Sequence, residues 1–329
     1  MLPEGPSTVR PFGSARRRAG IMKPMHLIVP FAAPGSDAGR QALASLALPG
    51  LAALLARCGP LQRDPEHGQG DELSLTPPHE RALARAFGWA GDDGRLPFAA
   101  WQAAADGIDP GVLAWGLLTP GHWLLGTEQV SLIDPTQLAL DEATSRALFH
   151  AVQPLFASEG IAMHWGASLR WYAAHEGLAA LRCASLDRVI GRNVDAWLQA
   201  DPAARLFRRL QNEVQMLLYE HPLNERRQAQ GQLPVNSFWL SGCGIAQPAA
   251  APAPRVEERL RRAALGEDWA AWVKAWDVLD GELAAEPPAM LTLCGERASA
   301  RFERAAPGLG QRLRSLFHRA EPRELLATL

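Results

Sequence analysis

Between Asp201 and Gly244 the chain carries an amphipathic helical pattern, a proline, a polar stretch and an apolar strand closing on two glycines. No other stretch narrows the fold as much. Leu206, Leu210, Val214 and Leu217 recur at helical spacing, which predicts one long helix with an apolar face, stopped at Pro222. His221, Asn224, Arg226, Arg227 and Asn236 then fall in what reads as one loop. A strand starts near Val235 and passes Phe238, Trp239 and Leu240 before reaching Gly242 and Gly244. A helix C-terminus repels anions, so phosphate affinity in such a loop would have to come from its basic side chains. The alternative is that His221 and Asn224 only tie the loop to backbone groups.

Composition bounds the rest. At 329 residues and 47% apolar content the chain outgrows a single core, which predicts one large α/β domain with an insertion, or two lobes. A net charge of -2 and an isoelectric point near 6.5 give no reason to expect nucleic acid or an anionic membrane as partner. No apolar run approaches the roughly 18 to 20 residues that span a bilayer. Cys58, Cys183, Cys243 and Cys294 are scattered without a C-x-x-C pair. That fits a reducing, cytoplasmic compartment and argues against a disulfide framework or a zinc site. Cys243, between Gly242 and Gly244, is the one cysteine whose setting invites reactivity; the alternative is a small buried filler. Residues 1–24 contain Arg16, Arg17 and Arg18 but no apolar h-region, and read as a disordered tail with ordered protein starting near Met22 or Met25.

Periodicity places the remaining elements. Residues 26–32 are a short apolar run ended by Pro34 and Gly35, which predicts a buried strand. Two helices are predicted over residues 37–59, with Pro49 in the first turn of the second and Gly59 at its end. Residues 76–89 predict a third, capped by Thr76. From Leu113 to Pro135 the texture is that of a hairpin turning at Pro120 and Gly121, and two short strands are expected around Gly166. A helix over residues 140–160 has acidic residues in its first turn. An Ala/Pro linker over residues 247–255 leads to two helices bearing Trp269, Trp272 and Trp276, then a strand over residues 289–295 and a terminal helix. The tryptophan stripe reads as core, with an exposed interaction surface as the alternative.

The order H-P-x-N-x-x-R, G-x-x-P-x-N, apolar strand, G-x-G over residues 221–244 resembles the archaeal-type cofactor-independent phosphoglycerate mutases of the alkaline-phosphatase superfamily. Weaker likeness runs from about residue 26 to the end of the sequence. Residues 46–59 resemble their early T-P-N-L-x-x-L-A-x-x-G helix, and Ala114 to Pro135 their R-x-N-x-x-T-V hairpin. Residues 185–198 are similar to their P-H-D-I-x-G segment. The chain also resembles a proteobacterial group named after the pathogenicity-factor regulator RpfE, described only in regulatory terms. The resemblance implies an α/β fold: a degenerate alkaline-phosphatase-like sheet domain, split between residues 25–95 and 240–329. An inserted α+β lobe over residues 96–239 would correspond to the mutase substrate domain.

In those mutases two divalent metals activate a serine alkoxide, which demands Asp and His ligands at the ends of sheet strands. Here the first strand ends in Pro30 and Phe31, and the nearest carboxylate is Asp37, in the next helix. Counting back from Gly88 puts the nucleophile position on His79, with Glu80 beside it. No histidine stands between His221 and His318, and the strand that would carry D-H has Glu296 and Arg297, an arginine that repels a cation. Positions matching the substrate motifs carry Arg170, Asp187, His221, Asn224, Arg227 and Asn236, the candidate ligand-binding residues. The hairpin arginine is missing, and the histidine of P-H-D is Leu186. The expectation is a catalytically degraded, regulatory or anion-binding protein with no catalytic residue, metal or cofactor. Its partner would be a small phosphorylated metabolite or another protein. The alternative is an active metal-dependent mutase or phosphatase rebuilt around His79, Glu80 and Glu296.

Overall fold

Two apolar runs from opposite ends of the sequence lie side by side as parallel strands, and the rest of the molecule is arranged around that pairing. The computed structural model describes residues 25–59, 61–63, 73–127, 129–198, 204–250, 252–304 and 321–329; the tail expected over residues 1–24 lies outside them. The chain begins β1 (His26–Val29), α1 (Asp37–Ser45), α2 (Pro49–Leu55), β2 (Gln62–Arg63), α3 (Pro78–Phe87) and α4 (Phe98–Ala105). It continues β3 (Ala114–Gly121), β4 (Trp123–Leu125), β5 (Val130–Leu132), α5 (Glu142–Ala157), β6 (Ala162–Ala167) and β7 (Arg170–Ala174). Next come α6 (Leu186–Val189), α7 (Arg205–Tyr219), α8 (Pro222–Ala229), β8 (Ser237–Ile245) and β9 (Arg255–Val256). The last elements are α9 (Arg259–Leu265), α10 (Trp269–Ala285), β10 (Met290–Cys294), β11 (Ser299–Glu303) and α11 (Pro322–Leu326).

The first sheet has the order β2-β11-β10-β1-β9. β1 pairs in parallel with β10, His26 opposite Met290, and with β9, while β10 and β11 form an antiparallel hairpin. Ile28, Val29, Leu291 and Leu293 are all buried, the unbroken apolar texture of strands covered on both faces. One face receives α1, α2 and α10, whose Leu51, Leu54, Trp272, Trp276 and Leu279 pack on Leu27, Val29 and Leu293. Trp272 and Trp276 are therefore core, and Trp269 is half-buried, so the stripe is not an exposed surface. Asp280 of α10 accepts from Gly50 and Leu51 N–H at 2.8 and 2.7 Å, satisfying the N-terminus of α2. A Cβ on Gly50 would come 2.2 Å from the Asp280 carbonyl oxygen, so only glycine permits this approach. No single helix among the described residues is long and apolar enough to cross a membrane.

The second sheet, β6-β7-β3-β8, is antiparallel throughout. Helices α5 and α7 cover one face through Leu148, Val152, Phe156, Leu210 and Val214, and α4 covers the other through Ala99, Ala100 and Ala103. The boundary expected at residue 240 falls inside β8, which belongs whole to this sheet.

Several local expectations need correction. β3 runs straight through Pro120 and Gly121, paired with Phe238 and Ser237, and the hairpin is instead β4 with β5. Proline is tolerated there because β7 pairs with β3 only as far as Leu118, so no partner on that side requires its missing N–H. Thr76 does not cap α3; its hydroxyl accepts from Gly94 N–H at 2.8 Å, and Pro77 occupies the cap position. Leu218, not Leu217, completes the inward face of α7. Pro222 ends α7 and also opens α8, so the expected loop is a second helix, with His221 as its cap.

Candidate functional site

The candidate residues of the 221–244 motif come together as a brace for the second sheet. Asn224 is buried, donates to the Leu218 and Val235 carbonyls at 2.8 and 2.7 Å, and accepts from Val235 N–H at 2.9 Å. Arg227, also buried, donates to the Leu233 and Leu138 carbonyls. Asn236 accepts from Trp123 N–H and donates to Trp123 O, and His221 Nδ1 accepts from Leu223 N–H. These polar atoms are committed to the chain's own backbone. Arg170 lies apart on β7, where it forms a two-pronged pair with Asp106, at 2.8 and 3.0 Å, shared with the Tyr172 hydroxyl. The two glycines of the G-x-G also have a packing reason. Gly242 takes φ +63°, and Cβ atoms on Gly242 and Gly244 would lie about 3 Å from the Ala99 and Pro97 backbone, where α4 crosses β8.

Asp187 lies in a third place: the carboxyl ends of β1 and β10, the position where open parallel sheets hold ligands. It sits in the short helix α6, placed by the Ser185 cap. Asp187 Oδ2 lies 3.2 Å from His79 Nε2, at the start of α3, and Asp187 Oδ1 accepts from Arg261 of α9 at 2.5 and 2.9 Å. Burial works to raise the Asp187 carboxyl, but the hydrogen bond with His79 and the Arg261 charge outweigh it and hold the group well below the usual carboxylate range. Glu80 turns the other way and accepts from the Ser185 hydroxyl at 2.5 Å. Burial dominates there and pushes its carboxyl up to about 7, against the opposing pull of His79.

Glu296, just past β10, is pinned by two arginines. Arg188, 2% exposed, donates to its carbonyl at 3.0 Å and its carboxylate at 3.1 Å, and Arg192 donates to the same carboxylate oxygen at 2.6 Å. Arg188 also donates to Ser74 Oγ at 2.8 Å. At the end of β1, Phe31 adopts φ +54°, a strained choice for a residue with a side chain. Trp272 Nε1 holds its carbonyl at 3.0 Å, and its ring leans on His79 with centroids 5.3 Å apart.

A cavity of about 810 Å³ opens beside this web. Arg40, Arg192, Arg297, Glu267 and Glu296 line it, and Phe31 and Trp269 supply apolar wall. His79, Glu80 and Glu296 thus each answer to a different partner. Among the described residues no group of three or more His, Cys, Asp or Glu side chains is arranged to hold a metal ion. Arg188, Arg192 and Arg261 went unrecognised in the sequence; the spacing of Arg188 and Arg192 by four residues beside Asp187 was the available signal.

No family model matches the chain, and no curated protein matches it. Two solved structures are similar to it in part. A cofactor-independent phosphoglycerate mutase from Thermoplasma acidophilum is 14% identical, with a TM-score of 0.37 over 84% of this chain and 89% of that one. A protein from Pyrococcus horikoshii is 12% identical, with a TM-score of 0.42 over 87% and 88%. The chemistry of the site rests on this chain's own side chains.

Proposed function

We propose that this protein is a catalytically degraded, phosphoglycerate-mutase-like protein that binds a small organic anion in the cavity at the carboxyl ends of β1 and β10 and acts in regulation. One observation carries the reading: both carboxylates flanking that edge, Asp187 and Glu296, are neutralised by guanidinium groups. A divalent cation needs uncompensated oxygen ligands, and here it would have to displace Arg261 from one acid and two arginines from the other. An anion in the cavity would meet the guanidinium groups of Arg40, paired with Asp37, and Arg192, paired with Glu296, together with Arg297 and an aromatic wall for an organic body.

The test is a thermal-shift panel of phosphorylated metabolites on the wild type and on Arg192→Ala, alongside a turnover assay. A native-state ligand raises the melting midpoint, and Arg192→Ala should lose that rise. Conversion of 3-phosphoglycerate with Mn²⁺ or Mg²⁺, abolished by a chelator, would defeat the proposal.

A further inference from the structure

We propose that Cys183 and Cys243 form a reversible redox pair, in which a small-molecule disulfide converts the two thiols into an intramolecular disulfide. The two residues lie far apart in sequence, yet their sulfurs are 3.4 Å apart in a thiol–thiol contact, and neither is in a disulfide in this structure. Cys243 was the cysteine singled out by its glycine neighbours, but it is fully buried in β8. Cys183 is the open member: it is half-buried and lines a small pocket with Arg182, Trp197 and Trp239. A Cβ on Gly116 of β3 would lie 2.6 Å from Leu240 Cδ1 and 3.2 Å from the Cys243 sulfur, so a side chain there would crowd both.

The order of events follows from the asymmetry. The contact with Cys183, and then burial, push the Cys243 thiol well above its usual range, so the first attack belongs to Cys183. The Cys183 thiolate attacks one sulfur of the small disulfide and expels one thiol, leaving a mixed disulfide. Cys243, already in contact, attacks the Cys183 sulfur and its proton passes to the departing thiolate, so the second thiol is expelled. Two electrons pass from the protein pair to the small disulfide, which leaves as two thiols. The linkage would tie β8 to the segment that carries Ser185 and Asp187. Cys183 stands two residues before Ser185, which holds Glu80, and its N–H is bound to Gly94 O at 3.0 Å.

The experiment treats the native protein with oxidised glutathione, quenches with acid, and counts thiols after unfolding, with peptide mapping. The four thiols should fall to two, in a 183–243 linked peptide, and return with dithiothreitol. Trp239 donates its indole N–H to Ala184 O at 2.9 Å and lines the same pocket, so its fluorescence should drop on oxidation. Trp239→Phe should remove that drop. Cys243→Ser should stop at the glutathione adduct on Cys183, and Cys183→Ser should leave Cys243 unmodified. The proposal is overturned if wild-type protein stops at a stable Cys183–glutathione adduct. It is equally overturned if all four thiols survive native treatment while reacting after unfolding. These readouts do not involve the anion, so they stand or fall apart from the binding reading.

Discussion

Glu80 should make the protein less stable as the pH rises through neutrality. Its carboxyl is raised from an ordinary 4.5 to about 7 in the folded chain, chiefly by burial at the foot of α3. A native state that keeps its proton where the unfolded chain has lost it forfeits stability as pH climbs between the two values, and the loss is complete above the higher one. A shift of this size is worth about 3 kcal/mol over the whole passage, most of which falls between pH 5 and pH 8. Solvent reaching the part of Glu80 that stays open screens this, leaving roughly 1 to 2 kcal/mol. Glu80→Gln keeps an oxygen to accept the Ser185 hydroxyl and cannot ionise. Urea unfolding of both proteins at pH 5 and pH 8 should show the variant close to wild type at pH 5 and ahead of it at pH 8, by that margin. A gap of the same size at both pH values would refute the argument, since it would mean that Glu80 keeps one charge state throughout.

Asp187→Asn should cost about 2 kcal/mol at pH 7, because Arg261 and His79 lose their shared anion in a largely enclosed setting. The Asp187 carboxyl is depressed in the native state, so its contribution is present above the unfolded value of about 3.9 and fades on acidification; the deficit read by denaturant titration should shrink below that pH. Asn224→Ala removes three backbone hydrogen bonds from a buried site and should cost about 3 kcal/mol, whereas His221→Ala removes one helix cap and should cost about 1 kcal/mol. If both variants instead keep wild-type stability, the motif is not a brace. Trp272→Ala should cost about 3 to 5 kcal/mol in the same assay, from lost packing and the lost hold on Phe31.

Local chemistry was enough to find most elements. The apolar run at His26, the proline-led α2 and the acidic start of α5 were legible because strand burial, helix entry and helix dipoles act over a few residues. Where a residue type serves two local purposes, sequence was ambiguous. Pro222 ends one helix and starts the next with the same fixed φ, so the brace helix α8 read as a loop. Pro120 reads as a turn until one knows that β7 stops short of it. That Pro30 and Phe31 follow β1 and that Glu296 and Arg297 follow β10 was likewise visible in the one-dimensional order.

What those residues face was not visible. Asp187 meets His79 and Arg261, Glu296 meets Arg188 and Arg192, and Cys183 meets Cys243 only because parallel pairing of β1 with β10 and the docking of α6 and α9 bring distant segments together. Short-range propensities decide what each segment becomes. Which charges and sulfurs then face one another depends on burial of nonlocal surfaces, an energy that no single window of sequence contains.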